Sequence, residues 1–218
     1  EENEQKKSTV RRPELKDLEF RSLAFRYPDK QVDTLENINL KINQGEKIAI
    51  LGRNGSGKTT LVKLAAGLFN ATDGIVMYDG VDTQQIHNDD LARSIGIVLQ
   101  DVQLFSGSII ENITMGREGI TQEDVVEASK ISGLDDFLGK MPGGYELVLQ
   151  DKGNGLSGGQ KQAIALTRAI VHRPSHYIFD EPTSAMDMNS EQQFISNFKS
   201  IAEDSTLMVV SHRMPLLN

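Results

Sequence analysis

The sequence predicts an α/β fold, a parallel-sheet core into which a helical lobe is inserted between about residues 101 and 157. Three observations predict it. The short apolar run "KIAIL" at 47–51 leads into a glycine-rich turn and then a helical pattern. The elements run strand-rich, then helical, then alternating strand and helix. The longest apolar stretches, "IAIL" at 48–51 and "LMVV" at 207–210, are the length of buried strands. They fall far short of the roughly 20 apolar residues that span a bilayer.

Residues 1–16 are charged and polar and contain Pro13, so a linker is expected, poorly ordered at its start. "LEFRSLAFRY" at 18–27 and "INLKI" at 38–42 alternate as strands do. "KIAIL" reads as a short buried strand ending at Gly52. A helix is predicted from Lys58 to about Leu68, with Leu61, Leu64, Ala65 and Leu68 at helical spacing. "GIVMYDG" at 74–80 and "IGIVLQ" at 95–100 are further strands. Residues 108–140 hold short helical patterns, among them "QEDVVEASKIS" with Thr121 as its N-cap. Strands resume with "HYIFD" at 176–180 and "TLMVV" at 206–210, around a helix near 189–203.

The 218 residues are 38% hydrophobic and carry a net charge of −8, with no cysteine. That excludes disulfides and thiolate metal sites. An acidic chain argues against nucleic acid as the main partner, so none is expected. The chain opens on "EENEQKK", without an initiator Met or a signal-peptide pattern, and closes on "SHRMPLLN". Both ends read as cut, and a domain excised from a longer chain is expected.

"GRNGSGKTT", Gly52 to Thr60, matches G-x-x-x-x-G-K-[ST] between an apolar strand and a helix. Glycines let the backbone curl so that its N–H groups meet phosphate oxygens, and the helix N-terminus adds to the attraction. Lys58 is placed to reach the β- and γ-phosphates, and Thr59 to offer a hydroxyl to Mg²⁺. Asp180 in "YIFDEP" ends an apolar strand, where an open α/β sheet presents its ligand site, and suits Mg²⁺ opposite Thr59. Its neighbour Glu181 is the candidate to orient and deprotonate an attacking water.

A second glycine-rich turn, "NGLSGGQ" at 154–160, opens a second helix near Gln160, with Ser157 as N-cap. Ala163, Leu166, Thr167 and Ile170 form its expected buried stripe. This is a second anion site on a helix terminus. One nucleotide has one γ-phosphate, so a second cradle makes sense if it closes over a nucleotide held by another copy.

"LSGGQ" resembles the signature motif of the ATP-binding cassette (ABC) family, and other elements follow in that family's order over roughly residues 17–214. Gln100 in "VLQD" resembles the Q-loop glutamine, and "SAMD", Ser184 to Asp187, the D-loop. His212 in "VVSH" resembles the switch histidine, and Tyr27 in "FRYP" the aromatic residue that stacks on adenine. The resemblance implies a P-loop NTPase with a RecA-like parallel-sheet core, an N-terminal antiparallel β subdomain and an inserted helical subdomain. It implies a cassette over 17–218, its core about 17–100 and 158–218, its helical subdomain about 101–157, truncated at the C-terminus.

It further implies ATP and Mg²⁺ as cofactors. Nucleotide contacts fall to Tyr27, Gly52, Asn54, Gly55, Ser56, Gly57, Lys58, Thr59 and Thr60. Ser157, Gly158, Gly159, Gln160 and Asp187 complete the nucleotide-binding set, with Ser157 and Gly159 acting on the nucleotide of a second copy. Mg²⁺ falls to Thr59, Gln100 and Asp180, and catalysis to Glu181, His212, Lys58 and Gln100. The implied assembly is a homodimer sandwiching two ATP, coupled to a transmembrane domain at the cytoplasmic face of a bacterial inner membrane.

"FSGSIIENI" at 105–113 and "LQDKGNGLSGGQ", with Asp151 and Lys152 where the family more often has Glu at the first place, resemble export cassettes. "RRPEL" and "DEPTSAMDMNSE" resemble those of type I protein secretion. The alternatives are a soluble ABC ATPase of DNA repair or translation, a multidrug or lipid exporter cassette, and a non-catalytic nucleotide-gated module. An unrelated P-loop kinase or GTPase leaves "LSGGQ" unexplained.

Overall fold

A computed structural model describes residues 9–139, 141–150 and 153–211. The first sheet is antiparallel, in the order β2-β1-β4-β5, from β1 (Leu18–Phe25), β2 (Leu35–Ile42), β4 (Asp73–Tyr78) and β5 (Val81–Asp82). The second runs β3-β10-β9-β6, from β3 (Lys47–Ile50), β6 (Ile95–Val98), β9 (His176–Asp180) and β10 (Thr206–Val210), and all its pairings are parallel. A ribbon of β7 (Gly107–Ser108) and β8 (Val148–Leu149) is the third. The helices are α1 (Lys58–Ala65), α2 (Asn88–Ser94), α3 (Ile109–Thr114), α4 (Gln122–Ser132), α5 (Leu134–Leu138), α6 (Gly158–Ile170) and α7 (Met188–Ile201).

The parallel sheet separates two cores. Every residue of β9 and β10 is buried, as an apolar run covered on both faces requires. Alternate residues go to opposite sides. Tyr177, Phe179, Leu207 and Val209 join the core formed with α3, α4, α6 and α7. Ile178, Met208 and Val210 join the core shared with α1 and the antiparallel sheet. This is the period of two of a strand.

Several expectations shift. β3 pairs with β10 alone among the described residues and is half-buried, because it lies at the sheet's edge. The first helix stops at Ala65, three residues early. Gly67 takes a left-handed φ of 69°, which ends the helix and leaves Leu68 54% exposed. The segment read as a linker is docked where it is described: Leu15 is core, and buried Asp90 accepts from Arg11 at 2.9 Å and from the Arg12 N–H at 2.6 Å. α2 and the β7–β8 ribbon have no counterpart in the sequence reading; two-residue strands and a seven-residue helix give too short a period to detect. Among the described residues no helix is long and apolar enough to cross a membrane.

Candidate functional site

The first glycine-rich loop joins β3 to α1. Gly57, the N-cap of α1, has φ 90° and makes no side-chain cap. A Cβ there would lie 2.7 Å from Leu35 Cδ2, so both conformation and space demand glycine. No acidic side chain sits in the first turn of α1. Its N-terminal amides are therefore offered to an anion from outside. Lys58 Nζ donates to the carbonyls of Gly52 at 2.9 Å and Arg53 at 3.0 Å.

Asp180 is 1% exposed at the end of β9, and its Oδ2 accepts from Thr59 Oγ1 at 2.5 Å. The next residue, Glu181, has φ 52°. A left-handed backbone costs a non-glycine residue about 1–2 kcal/mol. Its N–H donates to the Val210 carbonyl at 2.9 Å. A cavity of about 650 Å³ opens here, lined by Tyr27, Lys58, Thr59, Gln100, Asp180 and Glu181. Asn54, Gly55, Gly57 and Thr60 also face it, whereas Gly52 and Ser56 are not among its lining residues. The Tyr27 hydroxyl and that of Thr60 are 3.0 Å apart, and the Tyr27 ring meets Phe25 and Phe69 edge-on.

Thr59 and Asp180 present adjacent hard oxygens. Among the described residues no three His, Cys, Asp or Glu side chains gather to cage a metal. That donor set fits Mg²⁺, which keeps waters and takes phosphate oxygens from its substrate.

The second glycine-rich loop is built differently. Ser157 caps α6 with a full capping box: its Oγ accepts from the Gln160 N–H at 3.2 Å, and Gln160 Oε1 accepts from the Ser157 N–H at 2.8 Å. The helix starts at Gly158, two residues earlier than predicted, and is buried beyond the expected stripe, because α3, α4, α5 and β6 all pack on it. Ser157, Gly158, Gly159, Gln160 and Asp187 line a separate cavity of about 560 Å³. Asp187 also caps α7, accepting from the N–H groups of Asn189 and Ser190 at 3.0 Å each. The Ser190 hydroxyl and N–H hold its carboxyl below the usual carboxylate range.

A further cavity, about 990 Å³, lies away from both loops, between α2 and the end of α6. There Arg117 Nη1 and His172 Nδ1 are 3.3 Å apart, and Arg117 Nη2 donates to the Ala92 carbonyl at 3.3 Å. Burial first, then the Arg117 charge, pushes His172 down to about 4. Charges of both signs line this cavity and the 650 Å³ one alike; the latter, which brings Lys58 of the first glycine-rich loop together with Asp180 and Glu181, is the candidate site.

His212, Asp151 and Lys152 lie outside the described residues. Sequence reasoning missed Gln162, which is 2% exposed and bonds to Glu181 and Ala185. Its signal was a polar residue four positions before Leu166, in phase with the buried face of α6.

The ABC transporter family model matches residues 35–184. The chain is 44% identical over 204 residues to the alpha-hemolysin translocation ATP-binding protein HlyB of Escherichia coli, covering 93% of this chain and 29% of that protein. It is 42% identical over 212 residues to the leukotoxin translocation ATP-binding protein LktB of Mannheimia haemolytica, covering 97% of this chain and 30% of that one. The chain thus spans about three tenths of these relatives' length. Among solved structures it resembles a bacterial Atm1-family ABC exporter with ATP bound, with a TM-score of 0.86 and 30% identity over 96% of this chain and 36% of that one.

Proposed function

The chain belongs to the ABC transporter family, and from that premise we propose that it is the ATP-hydrolysing motor of an exporter, moving a protein or peptide by type I secretion. The observation that carries this is the convergence of Lys58, Thr59, Gln100, Asp180 and Glu181 on one cavity beside the uncapped N-terminus of α1. Its relatives, named for toxin translocation, support the cargo class.

ATP binds with its β- and γ-phosphates on the α1 amides and Lys58, and Tyr27 stacks on adenine with its exposed face. Thr59, Gln100 and Asp180 would hold Mg²⁺, which would supply neutralisation of phosphate charge. Glu181 accepts a proton from the attacking water as the water oxygen bonds to the γ-phosphorus and the bond from that phosphorus to the β–γ bridging oxygen breaks, releasing ADP and phosphate. His212 steadies the γ-phosphate. Two copies meet head to tail, so that Ser157, Gly158, Gly159, Gln160 and Asp187 of one close on the nucleotide of the other. A transmembrane partner domain, at the cytoplasmic face of a bacterial membrane, receives the motion.

The test is steady-state phosphate release by the full-length protein and its Glu181→Gln variant. Turnover is expected to fall about 10²–10⁴-fold with ATP binding retained. A variant that turns over at the native rate refutes the role of Glu181 and the motor reading with it.

A further inference from the structure

Gln162 lies in the first turns of α6, the helix that Ser157 opens. Both ends of its amide reach the same neighbouring turn. Nε2 donates to the Glu181 carbonyl oxygen at 2.9 Å and lies 3.5 Å from Ser184 Oγ, and Oε1 accepts from the Ala185 N–H at 2.9 Å. The contact is close as well as polar. A Cβ on Gly159 would lie 3.1 Å from the Ala185 carbonyl oxygen, and one on Gly158 would lie 3.3 Å from Ala185 Cβ. The paired glycines thus let α6 press against residues 184–187 of its own chain.

Glu181 needs such support. A non-glycine residue stays at φ 52° only where its surroundings hold it there. Three hydrogen bonds do so: its N–H donates to Val210 on the sheet, and its carbonyl accepts from the Ser184 N–H of the following turn at 3.2 Å and from Gln162 on α6. The first anchor is a buried strand, the second is local, and the third joins this turn to the opening turns of α6. Gln162 is thus the hydrogen bond through which the position of α6 reaches the Glu181 backbone.

We propose that Gln162 is a positioning residue, which ties the backbone of Glu181 and the Ser184–Asp187 loop to the helix opened by Ser157. Movement of that helix is passed to the carboxylate through one amide side chain. This rests on the reading of Glu181 as the general base. In the head-to-tail pair, the Ser157 loop meets the other copy's nucleotide, so occupancy of one site reaches the carboxylate of the next through Gln162.

The test uses the full-length protein with two variants, reading kcat, ATP affinity and the pH profile. Gln162→Met keeps the length of the side chain and removes both bonds. Its kcat is expected to fall about 10- to 100-fold, the scale of a misplaced catalytic group, with ATP affinity unchanged. Gln162→Glu keeps the acceptor for Ala185 and loses the donor to Glu181 while ionised. Its kcat is expected to be low at pH 8 and to recover relative to the native protein as the new carboxyl protonates. Three results overturn the proposal: native turnover in either variant, loss of ATP affinity in step with kcat, or a Gln162→Glu-to-native ratio that stays flat with pH. Glu181→Gln separates the two claims. If it still turns over, the general-base reading fails; if it is inactive while the Gln162 variants are normal, only the positioning role fails.

Discussion

Two glycine-rich loops in this chain each open a helix, and they leave the helix ends in opposite conditions. At α1 the N-cap is Gly57, with no side-chain cap and no acid in the first turn. At α6 the N-cap is Ser157, locked with Gln160 in a capping box. The first end is left open for a ligand to complete. The second satisfies two of its own N–H groups and is stable without one. The glycines differ as well. Gly57 takes a left-handed backbone, whereas at Gly158 and Gly159 Ala185 lies 3.3 and 3.1 Å from where a Cβ would stand and leaves little room for a side chain. Two turns that look alike in sequence thus differ in structure: one leaves its helix end uncapped, and the other caps itself and lies against the loop that follows Glu181.

The sharpest way to break this contrast is Lys58→Ala against Ser157→Ala. Charge-assisted bonds to phosphate are worth about 1.5–3 kcal/mol, so Lys58→Ala is expected to weaken ATP binding by about 10- to 100-fold in a titration of the full-length protein. Ser157→Ala is expected to leave binding to the same chain's phosphate loop unchanged. Equal losses in both would erase the distinction.

Gly57→Ala adds left-handed strain and an overlap with Leu35, and is expected to destabilise by about 2–3 kcal/mol in denaturant unfolding. A variant as stable as the native chain would show that the loop is not held in this form.

The far end of the second helix offers a pH test. His172 is held near 4 by burial and by Arg117, whereas an unfolded histidine titrates near 6.5. The unfolded chain therefore takes up a proton first. This contribution to stability is complete above pH 6.5 and is lost as pH falls toward 4, by on the order of 2 kcal/mol. Thermal melts at pH 7 and pH 4.5 should show a shallower loss in His172→Gln than in the native chain; parallel losses would assign the acid sensitivity elsewhere. The smallest effect is in Ser157→Ala itself, where the lost cap is expected to cost about 1 kcal/mol. No change in unfolding midpoint would mean that the capping box does not hold α6.

The phosphate loop, the strand carrying Asp180 and the cap at Ser157 were legible because each is a local pattern. Gly52 to Thr59 is contiguous, "HYIFD" is one buried strand, and the capping box spans only four residues. The two-residue strands β7 and β8 and the seven-residue helix α2 were not legible, because two positions show no alternation and α2 carries no apolar run or helical stripe long enough to mark it. Leu68 was misread for a related reason: it keeps the helical spacing, but Gly67 turns the chain out of the helix just before it.

By itself the sequence determined the chemistry available to this protein: a loop that must curl, a helix terminus without a cap, an acid at a strand end and a second helix that caps itself. Only the tertiary structure decided which of these groups meet. Thr59 lies 121 positions from Asp180, and Gln162 lies 23 from Ala185, yet each pair is hydrogen-bonded. Short-range rules fix backbone conformation within a few residues, whereas a contact between distant side chains depends on strand order and on how helices pack across the sheet. That is why Gln162 reads as one more polar residue until the fold brings Glu181 and Ala185 against it.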